Sequence, residues 1–514
     1  MAHIDCIFRG GDIVTMDANN PVVEAVSVRN GCIEQAGPMS VVQSSMGPET
    51  RVFELGGRCM VPGFYDSHTH FVQTGLGKLG VDFGRTSSHE QMLEQIREKT
   101  RTLQPKELLL GAGLDELKLR EKRYPPLEEL DKVTPDRPVW INRVDSHSCM
   151  VNSVFLTLLD MDAISGGVDR DSGGQVTGVL RQDANFKAKK VATDMIPAEK
   201  RKEALKIAAD AAVRRGVTTI NAMEGGELFN DKDAEALLKY QDSVAIDLVL
   251  FWQTTRVETV LEHGLKRLGG CIALDGSFGS RTAALLEPYS DDPSTRGVLY
   301  FSDQKLENLV ASAHKEGLQI TFHAIGDRAI EQVITVYEKV QKHHPREGAR
   351  HRIEHFELPT PDHIERAARL GLICSVQPAF EYFWGGSGMY GIRMGEERAR
   401  RTNPFRSILD AGVILLGGSD SDVTPIDPLI GIQGAVTHST PEHRITAQEA
   451  LEMFTINGAY GVFQEDIKGS ISPGKWADLV VLSENPLKVS KETIKDIQIH
   501  TTIKQGRTIY SSKD

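Results

Sequence analysis

Short apolar runs recur along the chain with room for one helix between successive runs: "YDSHTHF" (65–71), "GVTTINAMEGG" (216–226), "AIDLVLFWQ" (245–253), "GCIALDGSFGS" (270–280), "LQITFHAIGD" (318–327), "RHRIEHFEL" (350–358), "LICSVQPAF" (372–380) and "VILLGGSDSD" (413–422). Between them lie helix candidates with apolar positions three and four apart, such as "EALKIAADAAVRRG", "DQKLENLVASAHKEG" and "TPDHIERAARLG". Near-continuous apolar strands alternating with helices predict a parallel sheet buried on both faces, and eight such units predict an α/β fold, a closed (β/α)8 TIM-like barrel.

Two regions break this alternation. Residues 1–62 and 467–514 read as short strands separated by Gly-rich and Pro-Gly turns, which predicts a small composite β-sandwich built from both ends of the chain around a barrel spanning 63–466. Residues 72–205 hold Pro-rich and Gly-rich loops and predict an insertion after the first barrel strand, positioned to cover an active site.

Composition narrows the function. A chain of 514 residues with 40% hydrophobic content can bury a large core, and its net charge of −12 argues against a nucleic-acid partner. The six cysteines lack paired spacing, so no disulfide framework is expected. Neither a leader nor a membrane-length apolar run is evident, which suggests a cytoplasmic protein with a small-molecule substrate. The assembly is open, a homodimer being the commonest kind.

The polar residues that interrupt the apolar runs fall at their carboxyl ends: His68 and His70, Cys271 or Asp275, His323, His355 and Asp420. Barrel enzymes keep their chemistry there. Residues two apart on a strand face the same side, so His68 and His70 can reach one ion. Imidazole and carboxylate form the ligand set of zinc and similar divalent metals, which lower the pKa of water and polarise carbonyls. A divalent metal, zinc first among the candidates and present as one or two ions, and a hydrolytic reaction are therefore expected. Asp420 would act as general acid/base.

At these residues the chain resembles the amidohydrolase superfamily and, within it, the amidohydrolase-3 group that includes YtcJ-like proteins and N-substituted formamide deformylases. "VPGFYDSHTHF" (61–71), "DGSFGSRTAALLEPYSD" (275–291), "HAIGDRAI" (323–330), "RHRIEH" (350–355), "GGSDSDVTPIDPL" (417–429) and "GSISPGKWADLVVL" (469–482) are similar to that group's signature segments. The resemblance implies a metal-bearing barrel that hydrolyses amide-like C–N bonds, with His68, His70, His323 and His355 as metal ligands and Asp420 as ligand and acid/base. It also implies that Asp145 and His147 line the substrate pocket. Where many relatives place a carboxylated lysine on the fourth strand, this chain has Cys271. Either Cys271 ligates or bridges metal, or one ion is held by the histidines and Asp420, with Cys271 as a buried apolar residue.

Arg281 is a candidate clamp for a substrate carboxylate or carbonyl, or else a salt-bridge partner of Asp275 or Glu287. Phe380, Tyr382, Phe383 and Trp384 are candidates for an aromatic wall. Glu354 reads as a supporting acid, and Glu224 as a weaker metal candidate. His314, His343, His344, His351, His438 and His443 read as surface residues. A deaminase using the same chemistry and a noncatalytic metal-binding barrel are the alternative functions.

Overall fold

The computed structural model describes residues 4–226 and 230–512. Eight parallel strands form the central sheet: β1 (Phe64–Thr69), β2 (Val217–Glu224), β3 (Asp247–Trp252), β4 (Arg267–Ala273), β5 (Gln319–Ala324), β6 (Arg352–His355), β7 (Ile373–Val376) and β8 (Ile414–Gly417). Each coincides with one of the eight apolar runs. Most are buried along their whole length because helices cover the outside and side chains fill the inside, which is why they read as continuous rather than alternating apolar segments.

Helices α1 (Phe71–Leu79), α2 (Gln182–Asp194), α3 (Ala198–Val213), α4 (Asp231–Tyr240), α5 (Asp303–Lys315), α6 (Asp327–His343), α7 (Pro361–Arg369) and α8 (Pro378–Trp384) include the principal helices around this sheet and its insertion. Their starts follow local chemistry. The Ser302 side chain accepts the N–H of Lys305 to cap α5, and Thr360 forms a capping box with His363 ahead of Pro361 in α7. Helices α1 and α3 pack so closely that a Cβ on Gly75 would lie 2.0 Å from the carbonyl oxygen of Ala204, a contact open only to glycine.

The barrel closes between β8 and β1 through the loop that follows β8. The Asp420 N–H donates to the His68 carbonyl (2.8 Å), the His70 N–H to the Ser421 carbonyl (2.7 Å), and the Ser419 N–H to Asp66 Oδ1 (2.9 Å). The acid preceding the histidine pair thus serves as a seam, holding the two edges together. Gly418 permits it, since a Cβ there would meet the His68 nitrogen at 2.7 Å.

Strands from both ends of the chain form one sheet, in the order Arg507–Ser511, Ile499–Lys504, Leu479–Leu482, Cys59–Pro62, Cys6–Val14, Val22–Arg29 and Cys32–Gly37, with Arg51–Glu54 also paired to Cys6–Val14. A separate six-stranded sheet runs from Val81 to Arg181. No helix among the described residues is long and apolar enough to cross a membrane.

Three of the histidines read as surface residues are buried: His314, His351 and His438. Their positions on helices and loops hid this, because His314 and His351 are joined across distant segments and His438 lies 3.4 Å from Glu381 of α8. The Ile320 N–H donates to His351 Nδ1 (3.2 Å), leaving its Nε2–H to donate to His314 Nδ1 (2.8 Å), whose Nε2–H in turn donates to the His344 carbonyl (2.7 Å). His343 and His344 are exposed and His443 is half-buried.

This relay requires both rings to be neutral. Burial holds His351 well below the usual histidine range and also lowers His314. A base with a depressed folded pKa binds fewer protons when folded, so its stabilisation is present above the unfolded value of about 6.5 and is lost as pH falls below it. Thermal unfolding between pH 8 and pH 5 should therefore show falling stability. His351→Phe should cost about 1–3 kcal/mol at pH 8 from the stranded hydrogen-bond partners but lose less on acidification; an unchanged pH slope would exclude the relay as a contributor.

Candidate metal centre

The carboxyl ends of β1, β4, β5, β6 and the loop after β8 bring His68, His70, Cys271, His323, His355 and Asp420 to one buried place in the barrel mouth. The ring centroids of His323 and His355 lie 4.4 Å apart, and those of His68 and His355 5.0 Å apart. Both His68 Nε2 (3.3 Å) and His70 Nε2 (3.2 Å) approach Asp420 Oδ1. Cys271 Sγ lies 3.4 Å from His323 Nδ1 and 3.9 Å from His355 Nε2.

Each imidazole is oriented from behind. His68 Nδ1 pairs with Glu354 Oε2 (2.6 Å), His70 Nδ1 with the Met223 carbonyl (3.1 Å), His323 Nε2 with the Gly276 carbonyl (3.2 Å), and His355 Nδ1 with Gln377 Oε1 (2.6 Å). With an acceptor behind every ring, the N–H points outward and the other nitrogen presents its lone pair to the centre. Two of these anchors are side chains. Glu354, read as a supporting acid, stands behind His68 of β1 rather than behind its own neighbour His355, a partner no local pattern could reveal. Gln377, which the sequence did not bring forward, follows β7 as a polar residue after an apolar run, the same signal that marked the histidines.

Glu354 is itself fixed by Arg352 Nε (2.8 Å) and Nη2 (3.0 Å) and by the Thr321 hydroxyl (2.5 Å). Burial opposes its ionisation, but the Arg352 guanidinium prevails and holds the carboxyl at about 2. Cys271 follows the same logic: burial would raise the thiol, yet the rings of His323, His355 and His68 keep it well below the usual thiol range.

The donor set fits a divalent cation. His68 Nε2 and Asp420 Oδ1 are buried and make no hydrogen bond despite their proximity. The donor atoms of His68, His70 and Asp420 lie within 4.8 Å of one another, as do those of His68, Cys271 and His355. Burial would lower His70, but Asp420 overrides it and lifts the ring to about 10. The carboxylate thus draws positive charge to a position that a metal ion can fill. His355 and Asp420 both carry positive φ, 74° and 52°, a conformation costly for residues with a Cβ and typical of functional sites.

A cavity opens beside this cluster, and His323, His355 and Asp420 form part of its lining. Asp145, His147 and Trp384 also line it, as do Arg143, Glu357 and Tyr390, which carry no sequence signal of their own. His147 is buried, its ring 5.2 Å from that of His323, and its Nδ1 makes no hydrogen bond. Of the four aromatic residues, Phe380 and Trp384 face the cavity, whereas Tyr382 and Phe383 are exposed. Arg281 does not line it. Its guanidinium donates to Asp291 (3.1 and 2.9 Å), a salt bridge to a different acid from the two anticipated. Glu224 accepts the Val72 N–H at the start of α1 (2.9 Å).

The fold, the buried donor cluster and the adjoining cavity are those of a metal-dependent hydrolase, and comparison with known proteins agrees. A solved metal-dependent hydrolase of uncharacterized function from Pyrococcus horikoshii superposes with a TM-score of 0.76 at 27% identity, covering 95% of this chain and 99% of that one. The putative amidohydrolase YtcJ of Bacillus subtilis is 30% identical over 98% of this chain and 99% of its own length. The N-substituted formamide deformylase of Arthrobacter pascens is 26% identical over 98% and 97%. The Amidohydro_3 pattern of the amidohydrolase family matches residues 51–510, and the chain belongs to that family.

The support behind His68 can be tested on metal affinity. Glu354→Gln should weaken binding of a divalent ion about 10- to 100-fold in chelator competition while the far-ultraviolet circular dichroism stays unchanged. Undiminished affinity would mean that the ring needs no carboxylate behind it.

Proposed function

We propose that this protein hydrolyses an amide or related C–N bond, of the non-peptide N-acyl or N-formyl type, in a small and partly apolar molecule. The observation that carries this reading is the convergence of four outward-anchored imidazoles, a low-pKa thiol and a carboxylate beside a cavity. His68, His70, His323, His355, Cys271 and Asp420 hold the metal, and the mixed nitrogen, sulfur and oxygen donors favour zinc. When bound, such an ion supplies Lewis acidity, polarising a carbonyl and making water acidic enough to react near neutral pH.

The chain's own residues do the rest. Asp420, inside both the donor cluster and the cavity wall, accepts the proton of the attacking water and returns it to the departing nitrogen. Burial pushes His147 down to about 3, so it is neutral at working pH and can hydrogen-bond a substrate oxygen through Nδ1. Asp145 accepts the hydroxyls of Ser277 (2.6 Å) and Ser280 (2.7 Å), which fixes the loop carrying His147. Phe380 and Trp384 exclude water from the apolar part of the substrate. The name of the Arthrobacter relative places N-substituted formamides among the first compounds to test.

The zinc-loaded protein should release amine and carboxylate from members of a panel of N-formyl and N-acyl amines. Asp420→Asn should fold normally yet lose about 10²-fold or more in kcat. Near-normal turnover by that variant would remove Asp420 from proton transfer, and ammonia released from a heterocycle with no amide cleavage would replace the reading with deamination. X-ray absorption at the zinc edge should show a sulfur neighbour at about 2.3 Å that disappears in Cys271→Ser; a first shell without sulfur in the unmodified protein would release Cys271 from the metal.

A further inference from the structure

The candidate donor cluster stands between two cavities whose linings share no residue. His323, His355 and Asp420 face the first, the one read above as the substrate's. Cys271 faces the second, which lies by the carboxyl ends of β3 and β4 and the start of α2. Its lining grades from the exposed side chains of Ser165, Gln182 and Lys305 to the buried ones of Gln253, Cys271 and Ile272, so it leads from the surface towards Cys271.

The buried end of this cavity is tied to the donor cluster. Gln253 Oε1 accepts the Cys271 N–H (2.9 Å), and Gln253 Nε2 donates to the Met223 carbonyl (3.2 Å), the same carbonyl that anchors His70. Cys271 Sγ lies within 4.8 Å of donor atoms of His68 and His355, so an ion that reaches the sulfur is already beside the rings. Phe186 of α2 is half-buried, packs against Cys271 and meets the Tyr300 ring edge-on at 5.2 Å. It is therefore placed to control passage along the cavity. Sulfur is a donor for soft and borderline metals, and a buried metal site needs an entry path. An ion using the first cavity would have to cross the place read as the substrate's.

We propose that the second cavity is the path by which the divalent ion enters and leaves the centre, with Phe186 as its gate and Cys271 as the first donor the ion meets. The proposal rests on the reading of the donor cluster as a metal centre. It gives the two faces of that centre separate tasks: nitrogen and oxygen donors look towards the substrate, and the sulfur looks towards the supply of metal. A molecule held in the first cavity would leave this path open.

Metal exchange tests this without turnover. Cobalt(II), whose visible absorption reports its ligands, is mixed with the metal-free protein by stopped flow and withdrawn again into EDTA. Thr255→Trp, which adds bulk at a half-buried position of the second cavity, should slow uptake and release alike by about fivefold or more. Ser165→Trp, at the exposed end, should slow both in the same way, and Phe186→Ala should speed both. Equal factors on the two rates mark a path, because a change in ligation would alter their ratio and hence the affinity. Met389→Trp, at a half-buried position of the first cavity, should change neither rate by more than about twofold. Slowing by Met389→Trp alone, or unchanged rates in all three second-cavity variants, would overturn the path while leaving the metal centre in place. A protein that takes up no cobalt would remove the centre and the path together.

Discussion

The arrangement depends on hydrogen bonds that face away from the reaction. Each of the four imidazoles in the barrel mouth gives one nitrogen to an acceptor behind it: a carboxylate, a side-chain amide, or one of two backbone carbonyls. A free imidazole can rotate and exchange tautomers. One whose N–H is committed outward has a single lone pair left and a single direction for it. The acceptors belong to β2, β6, the start of α8 and the loop after β4, so the geometry of the candidate centre is held by the barrel as a whole rather than by the short motifs that contain the histidines.

That rigidity has costs, and the fold meets them with buried charge. Glu354 and Arg352 lie fully buried, a costly placement that becomes tolerable because the carboxylate also takes the Thr321 hydroxyl and the His68 ring. The left-handed backbone at His355 and Asp420 is a second cost, sustained because neighbouring strands determine both positions. Neither feature improves packing. Both aim a donor atom.

The barrel was legible because parallel strands covered on both faces must be apolar throughout, and the eight runs show this directly. The convergence of the candidate donor residues was legible for a related reason, since a polar side chain at the end of such a run gives up the burial that packing alone would favour. What could not be read were relationships between residues distant in sequence and invisible to local pattern. Glu354 reads as a supporting acid with no partner to support until β6 lies near β1. His314 and His351 look like surface residues until α5 meets the start of β6. The Arg281 side chain could have met any of several acids, and the loop geometry chose Asp291. Gln377 also ends an apolar run, but its amide is no metal donor of the imidazole or carboxylate kind, and its role shows only once β7 lies beside His355.

The closure of the barrel gives its chemistry an unexpected dependence on chain topology. The hydrogen bonds joining the first strand to the segment after the last one run through the backbone of His68, His70 and Asp420 themselves. Residues more than three hundred positions apart become neighbours only when the cylinder shuts. An incompletely formed cylinder would therefore lack the carboxylate beside its first two histidines, although Cys271, His323 and His355 already meet on the adjacent strands β4, β5 and β6. Closing the cylinder and completing the candidate donor set are one event.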